Sequence, residues 1–190
     1  ELDSELGNCQ EAIQGYAQLD NRSIYEQTAV STYQRIGYAY AQLGKFEAAT
    51  EFLEKALELE YDDQTAFELA SLYFDQEEYQ KSVLYFKQID TISPDFEGYE
   101  YGYSQALHKE HQVEEALRIA KQGLEKNPFE TRLLLAASQF SYELHDASAA
   151  EQFLLTAKED AEDLEEIFLR LATIYMEQER FEDIIALQSQ

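Results

Sequence analysis

The chain has 190 residues, of which 45% are hydrophobic, enough to build the core of one domain or of two small ones. Its 39 Asp and Glu residues outnumber its 14 Lys and Arg residues, which gives a net charge of -25. This charge makes nucleic acid and anionic membranes poor partners. No apolar run is long enough to span a membrane, the N-terminus lacks a signal-peptide pattern, and the single cysteine, Cys9, forms no internal disulfide. We therefore expect a soluble, cytoplasmic protein.

Amphipathic helices are predicted along the whole chain. Only 2 Pro and 7 Gly residues occur, and apolar residues recur at the three- and four-residue spacing of helices. In chain order we expect a first helix at 8–19, followed by pairs in which the first member is called the A helix and the second the B helix. The A helices are predicted at 28–43, 63–76, 97–109, 129–143 and 163–177, and the last B helix follows Phe181.

The helix pairs repeat with a period of about 34 residues, the spacing that separates Pro94 from Pro128. When the sequence is shifted by this period, small residues fall on one position of the A helices and on one position of the B helices. The A-helix position holds Gly37, Ala70, Ser104, Ser138 and Ala172, and the B-helix position holds Ala49, Ser82, Ala116, Ala150 and, as the exception, Ile184. Because small side chains let two helices approach closely, these positions predict the contacts between A and B helices.

This pattern resembles the tetratricopeptide (TPR) repeat, in which a bulky residue, Leu-Gly and Tyr are followed by Ala, an aromatic residue, Ala and Pro. The first full unit contains Tyr33, Ile36-Gly37, Tyr40, Ala49, Leu53 and Ala56, with Tyr61 in place of the Pro. The next unit contains Leu69-Ala70, Tyr73, Ser82, Phe86, Ile89 and Pro94. In the third and fourth units Leu107 and Ser141 replace the inner Tyr, so we expect the local packing to differ there.

The resemblance implies an all-α fold, a right-handed superhelical α-solenoid of antiparallel helix pairs, similar to bacterial multi-TPR proteins. We expect one TPR array over 1–190, with full repeats at about 30–62, 63–96, 97–130 and 131–164 and partial repeats at about 1–25 and 165–190. The partial repeats and the absence of an initial Met indicate an excerpt of a longer protein, with mature processing as the alternative. Apolar helix faces at the two ends predict end-to-end self-association of the fragment.

The resemblance also implies a binding groove, because TPR proteins hold peptides or partner helices on the concave surface lined by their A helices. The candidate groove residues, obtained by moving one stripe of the first A helix by the repeat period, are Gln34, Tyr38, Gln42, Phe67, Ser71, Phe74, Tyr101, Gln105, His108, Leu135, Gln139 and Tyr142. The last A helix adds Leu169, Thr173, Met176 and Glu177. Aromatic rings hold apolar side chains and amides bond a peptide backbone, which suits an extended peptide or an amphipathic helix. The alternative is that this aromatic stripe belongs to the core.

We therefore expect a non-catalytic protein–protein interaction scaffold that binds a peptide or helix of a partner in this groove. The excess of carboxylates favours a neutral or basic partner and disfavours nucleic acid and membrane. The Lys, Asn and Arg set with which one TPR subtype clamps the carboxylate of chaperone tails is missing, because the stripe offers only Lys109, with Arg132 at its margin. No cofactor is expected.

Two other functions stay open, namely a peptide-sensing regulatory TPR module of a larger regulator and an enzyme whose catalytic domain lies outside these residues. Within the chain we find no Gly-rich phosphate loop, no paired-cysteine metal site and no nucleophile elbow. A solvated pair near a turn explains His108 and His111 better than a metal site, because no third ligand is evident. Packing explains Cys9 better than reactivity.

Overall fold

A computed structural model describes residues 26–89, 96–161 and 164–187, and all regular secondary structure in these ranges is α-helical. The helices are α1 (Glu26–Gln42), α2 (Phe46–Leu59), α3 (Asp63–Asp75), α4 (Tyr79–Gln88), α5 (Tyr99–Lys109), α6 (Val113–Lys126), α7 (Thr131–Glu143), α8 (Ala147–Asp160), α9 (Glu165–Glu177) and α10 (Phe181–Leu187). The odd-numbered helices are the predicted A helices, and their bounds lie within two residues of those predicted. The helix predicted at 8–19 lies outside the described residues.

The chain divides into two compact units, Glu1–Tyr99 and Glu100–Gln190. In the first unit, side chains of α2 and α3 form a buried cluster that consists of Ala49, Leu53, Leu69, Leu72 and Tyr73. In the second unit, α7, α8 and α9 form a cluster that consists of Leu134, Ala150, Leu154, Ala157, Ile167, Leu171, Ile174 and Tyr175. Each cluster joins one helix pair to the next A helix, because a single pair cannot bury its own apolar face. The single array over 1–190 stays a prediction.

The predicted small residues lie where A and B helices pack together. The B-helix residues Ala49, Ser82, Ala116 and Ala150 are fully buried. At Gly37, an added Cβ atom would lie only 2.6 Å from the Cγ atom of Leu53. In the next pair the two small positions are bonded directly, because the hydroxyl of Ser82 donates to the carbonyl oxygen of Ala70 at 2.7 Å. Small side chains therefore set the close approach of the helices, as the sequence predicts.

Each described turn from an A helix to its B helix holds one residue in the left-handed conformation. These residues are Gly44, Glu77, His111, His145 and Glu179, with φ between 58° and 68°. In the first turn, the amide of Lys45 donates to the carbonyl oxygen of Tyr40 at 3.0 Å and the amide of Gly44 donates to that of Ala41 at 2.9 Å. This pattern closes a helix C-terminus. Only the first of these turns uses glycine, so the others place a side chain where the left-handed conformation costs about 1–2 kcal/mol.

In both units a carboxylate of a B helix accepts a hydrogen bond from the inner Tyr of the next A helix. The Oε1 atom of Glu54 lies 2.6 Å from the hydroxyl of Tyr73 and 2.9 Å from that of Tyr85. Burial, reinforced by the bond to Glu54, raises the pKa of both tyrosines. In the second unit Tyr175 donates to Glu151 at 3.1 Å, and burial together with this carboxylate raises the pKa of Tyr175 to about 12. These bonds tie each helix pair to its successor.

Among the residues that the structure describes, the third and fourth repeats, which lack the inner Tyr, have no such hydrogen bond at this position. Leu107 is fully buried and, as an apolar residue, needs no hydrogen-bond partner. The hydroxyl of Ser141 is also fully buried, and it has no hydrogen-bond partner among the described residues. A buried hydroxyl without a partner costs about 1–3 kcal/mol, so α7 carries a local defect at this position.

Candidate functional site

The candidate groove residues of the first unit lie on α1 and α3. Gln34 and Tyr38 are half-buried and Gln42 is exposed. The Nε2 atom of Gln34 donates to the hydroxyl of Thr65 at 2.8 Å, which bonds α1 to α3. Burial raises the pKa of Tyr38, whereas a hydrogen bond with Thr65 opposes this shift. The structure thus brings Gln34 and Tyr38 against α3.

The aromatic candidates on α3 pack against other rings of the same unit. The ring of Phe67 stacks on that of Phe96 with centroids 5.2 Å apart and meets that of Phe86 edge-on at 6.1 Å. The ring of Phe74 meets that of Tyr79 edge-on at 5.4 Å. Both phenylalanines are half-buried, so each has a packing role and still exposes part of its ring. Ser71, which lies between them on α3, donates its hydroxyl to the backbone carbonyl of Phe67.

In the second unit two of the candidates on α5, Tyr101 and His108, contact α7. The guanidinium of Arg132 lies 5.3 Å from the ring centroid of Tyr101, a cation–π distance. The Nε2 atom of His108 lies 2.9 Å from a carboxylate oxygen of Glu143, and its ring lies 4.9 Å from that of Phe140. Gln105 is half-buried on the same helix.

One of the candidates on α7, Tyr142, forms the same kind of contact with α9, whereas Gln139 bonds within α7. The amide of Gln139 donates to Glu143 at 3.0 Å. The hydroxyl of Tyr142 donates to the carboxylate of Glu177, and this bond is the main reason that the pKa of Tyr142 lies above its ordinary value. The third candidate, Leu135, is half-buried. Bonds at a spacing of 35 residues therefore join α5 to α7 and α7 to α9.

A pocket of about 180 Å³ lies between α7 and α9, with α8 behind it. It is lined by Ser138, Gln139, Tyr142, Leu154, Arg170, Thr173 and Ile174. Leu154 and Ile174 are almost fully buried and make its inner wall apolar. The guanidinium of Arg170 donates to the carbonyl oxygen of Leu135 at 3.1 Å and to the carboxylate of Glu166 at 2.5 Å. Three of the residues predicted from the repeat, namely Gln139, Tyr142 and Thr173, thus line one concave site.

The role of Arg170 as the cation of this pocket was not predicted from the sequence. The predicted cations were Lys109, which is exposed at the end of α5, and Arg132, which packs against Tyr101. A usable signal was present, because Arg170 lies three residues before the predicted Thr173, on the same side of a helix. The position of its guanidinium is set by its hydrogen bonds with Glu166 and with the backbone of α7. No repeat pattern specifies these bonds.

The described residues provide no group of three or more His, Cys, Asp or Glu side chains that is able to hold a metal ion. His111 lies in a turn with a left-handed backbone, whereas His108 belongs to α5 and contacts Glu143, so the two histidines have different surroundings. Within the described ranges, no helix is long and apolar enough to cross a membrane.

Helix pairs that repeat every 33 or 34 residues, with small residues at the contacts and one left-handed residue in each described turn, define a helical repeat protein. The family model of the tetratricopeptide repeat matches residues 30–63 and 64–96. Residues 30–96 therefore carry two tetratricopeptide repeats, and the predicted all-α fold of antiparallel helix pairs is confirmed.

Known proteins are similar to this chain at low sequence identity. The TPR repeat-containing protein YpiA of Bacillus subtilis is 23% identical over 158 residues, which are 83% of this chain and 37% of that protein. The chain thus spans little more than a third of the length of this relative. The crystal structure of MamA matches with a TM-score of 0.74 and 16% identity, covering 83% of this chain and 91% of MamA. YrrB, described as a TPR protein with an unusual peptide-binding site, matches with a TM-score of 0.74 and 17% identity, covering 83% of this chain and 80% of YrrB.

Proposed function

We propose that the chain is a non-catalytic protein–protein interaction scaffold, and that each unit binds a peptide or helix of a partner on the A-helix surface formed by its candidate groove residues. The observation that carries this proposal is the pocket between α7 and α9, because residues predicted from the repeat alone line it. The fold neighbour YrrB, with its peptide-binding site, supports the same use of the fold.

The exposure of the candidate residues suits a binding surface. Of the twelve candidates on α1, α3, α5 and α7, all except the exposed Gln42 are half-buried, whereas the four candidates on α9, namely Leu169, Thr173, Met176 and Glu177, are exposed. A half-buried side chain is held in place by the fold and still offers part of its surface to a ligand, so little conformational entropy is lost on binding. Aromatic rings and amides in this state match a peptide, which has both apolar side chains and backbone hydrogen-bonding groups.

A neutral or basic partner fits the charge of the chain. The carboxylates of Glu143, Glu166 and Glu177 hold side chains of the A-helix surface in the second unit, and the net charge of the whole chain is -25. Such a field attracts cationic segments and is screened by salt. We therefore expect the affinity for a partner to fall as the salt concentration rises.

Further parts of the proposal concern the protein as a whole. A cytoplasmic location agrees with the single cysteine in the sequence. The functions of a longer protein stay open, because the chain spans 37% of its relative YpiA. In the described part of the chain, no feature favours the peptide-sensing regulator. End-to-end self-association remains a proposal, supported by the exposed side chains of Leu169, Phe181 and Ile185 on α9 and α10.

A pull-down from the source cell tests the proposed function. Tyr38, Phe74, Tyr101 and Tyr142 are changed together to Ala, and the retained proteins are compared with those of the unchanged chain. Because truncation of a buried anchor at an interface costs about 2 kcal/mol or more, a specific partner should be lost. Circular dichroism of the variant shows whether the helices remain folded.

A matched control removes apolar surface from the B helices. Leu59, Leu84 and Leu155 are exposed by 48%, 54% and 41%, and all three are changed to Ala. We expect this control to retain the partner. If the control loses the partner and the A-helix variant keeps it, the B helices are the binding surface and the proposed function of the A-helix surface is wrong.

A further inference from the structure

The pocket between α7 and α9 has the size of one apolar side chain. Its volume is about 180 Å³. An apolar protein cavity of about 150 Å³ holds a benzene molecule, so this pocket has room for a Leu, Met or Phe side chain but not for two. Leu154 and Ile174 form its inner wall, and the ring of Tyr142 lies beside them.

The walls of the pocket are fixed by bonds within the chain. Glu177 holds the hydroxyl of Tyr142, and Glu143 holds the amide of Gln139. The guanidinium of Arg170 is held on both sides, by the carbonyl oxygen of Leu135 and by the carboxylate of Glu166. A side chain that enters the pocket therefore meets walls that are already ordered, which lowers the entropic cost of binding.

The charges around the pocket favour a basic segment. The carboxylate of Glu166 lies 2.5 Å from the guanidinium of Arg170 and offsets its charge inside the chain. The carboxylates of Glu143 and Glu177 accept hydrogen bonds from Gln139 and Tyr142, which line the pocket, and Glu143 also contacts the imidazole of His108. A Lys or Arg side chain next to the bound apolar residue would reach these carboxylates, whereas an acidic residue would be repelled.

We propose that this pocket receives one apolar side chain of a partner segment, and that Glu143 and Glu177 select a segment with a Lys or Arg beside that apolar residue. This inference rests on the proposed function, because it names the chemistry of the segment that the A-helix surface of the second unit binds. Gln139, Tyr142 and Arg170 then form the walls against which the apolar side chain packs.

The first unit has a larger side chain at the repeat position of Gln139. Tyr38 of α1 corresponds to Gln139 of α7 in the repeat. Its ring packs against the buried cluster of the first unit, and its hydroxyl bonds with Thr65. A tyrosine is thus compatible with this position of an A helix, and we therefore choose Gln139→Tyr to fill the pocket. Gln152→Tyr on the exposed side of α8 is the matched control, because it makes the same change away from the pocket.

The experiment begins with a selection. Random peptides of about 12 residues displayed on phage are selected on the 190-residue chain, and the enriched peptides are synthesised. Their dissociation constants are measured with the unchanged chain, with Gln139→Tyr and with Gln152→Tyr. Methyl NMR spectra report whether the signals of Leu154 and Ile174 shift when the peptide is added.

We expect the enriched peptides to share one apolar residue with a Lys or Arg next to it. Gln139→Tyr should weaken their binding by about 10-fold or more, and Gln152→Tyr should leave it unchanged. The methyl signals of Leu154 and Ile174 should shift. If Gln139→Tyr impairs folding, Thr173→Phe fills the pocket from α9, where Thr173 is exposed, and the same loss is expected.

The other outcomes separate this inference from the proposed function. Peptides that bind all variants equally, but are lost when Tyr38, Phe74, Tyr101 and Tyr142 become Ala, would overturn the pocket and leave the A-helix surface in place. Enriched peptides with acidic residues beside the apolar one would overturn the charge selection. If no peptide is enriched, or if none depends on the A-helix surface, the proposed function and this inference both fail.

Discussion

The contact between Gly37 of α1 and Leu53 of α2 provides a quantitative test of helix packing. A Cβ atom at position 37 would lie 2.6 Å from Cγ and 2.7 Å from Cδ2 of Leu53, and 3.2 Å from the carbonyl oxygen of Ala49. Leu53 is fully buried, so its side chain cannot move into solvent. Overpacking of this kind costs about 1–3 kcal/mol, whereas Ala in place of a helical Gly gains about 1 kcal/mol. We predict that Gly37→Ala lowers the free energy of unfolding by up to about 2 kcal/mol.

The same change should have the opposite sign when Leu53 is removed. Leu53→Ala alone should cost about 2–5 kcal/mol, because it leaves a cavity in the core. In that background the methyl group of Gly37→Ala has room, so the second change should stabilise the protein by about 1 kcal/mol. The double-mutant cycle should therefore show a favourable coupling of about 1–3 kcal/mol.

Guanidinium unfolding followed by far-ultraviolet circular dichroism supplies the four free energies. Two results would refute the packing explanation. One is additivity of the two changes within about 0.5 kcal/mol, and the other is a stabilising effect of Gly37→Ala in the presence of Leu53.

Three further predictions concern single residues. Glu77→Gly should raise the free energy of unfolding by about 1 kcal/mol, and with it the melting temperature, because Glu77 has a left-handed backbone, with φ of 62°, in an A-to-B turn. Calorimetry measures this change. Ser141→Ala should leave the unfolding free energy unchanged or raise it, because the buried hydroxyl has no partner among the described residues, and denaturant unfolding measures this. Glu151→Gln should lower the melting temperature at neutral pH, and this difference should shrink as the pH falls below the ordinary pKa of a glutamate, as thermal scans at decreasing pH will show.

The sign of the last prediction follows from the pKa of Glu151. Its hydrogen bond with Arg180 is the main reason that this pKa lies below the ordinary value of a glutamate. A carboxylate with a lowered pKa stabilises the fold above its unfolded pKa, and this contribution is lost as the pH falls through the folded pKa. A difference between the unchanged chain and Glu151→Gln that persists at low pH would contradict the assignment. For Glu77→Gly and Ser141→Ala, a loss of about 1 kcal/mol would do so.

The helices and their contacts were predictable from the sequence because the same packing requirement recurs in each repeat. Gly37 and Ala49 must be small for α1 and α2 to meet, and the same requirement recurs at the matching positions. The turn residues with a left-handed backbone were harder to predict. Gly44 is a glycine, which favours this conformation, whereas Glu77 and His145 are not glycines. At those positions the backbone bonds of the turn impose the conformation on residues that do not favour it.

The candidate site was predictable only in part. The repeat period placed Gln139, Tyr142 and Thr173 on one surface, and all three line the pocket. The role of Arg170 depends on its bonds with Glu166 and with the backbone of α7, which are tertiary contacts. Likewise, the stacking of Phe67 on Phe96 depends on the position of Phe96 relative to α3, which the repeat spacing does not specify.

The most direct test of the A-helix surface is to locate a bound peptide on it. A selected peptide carries photo-leucine at its apolar position, and mass spectrometry identifies the residues to which it cross-links. We predict cross-links to Tyr142, Thr173 or Ile174 of the pocket between α7 and α9. Cross-links confined to the exposed side of α8, at Gln152 or Leu155, would contradict the proposal.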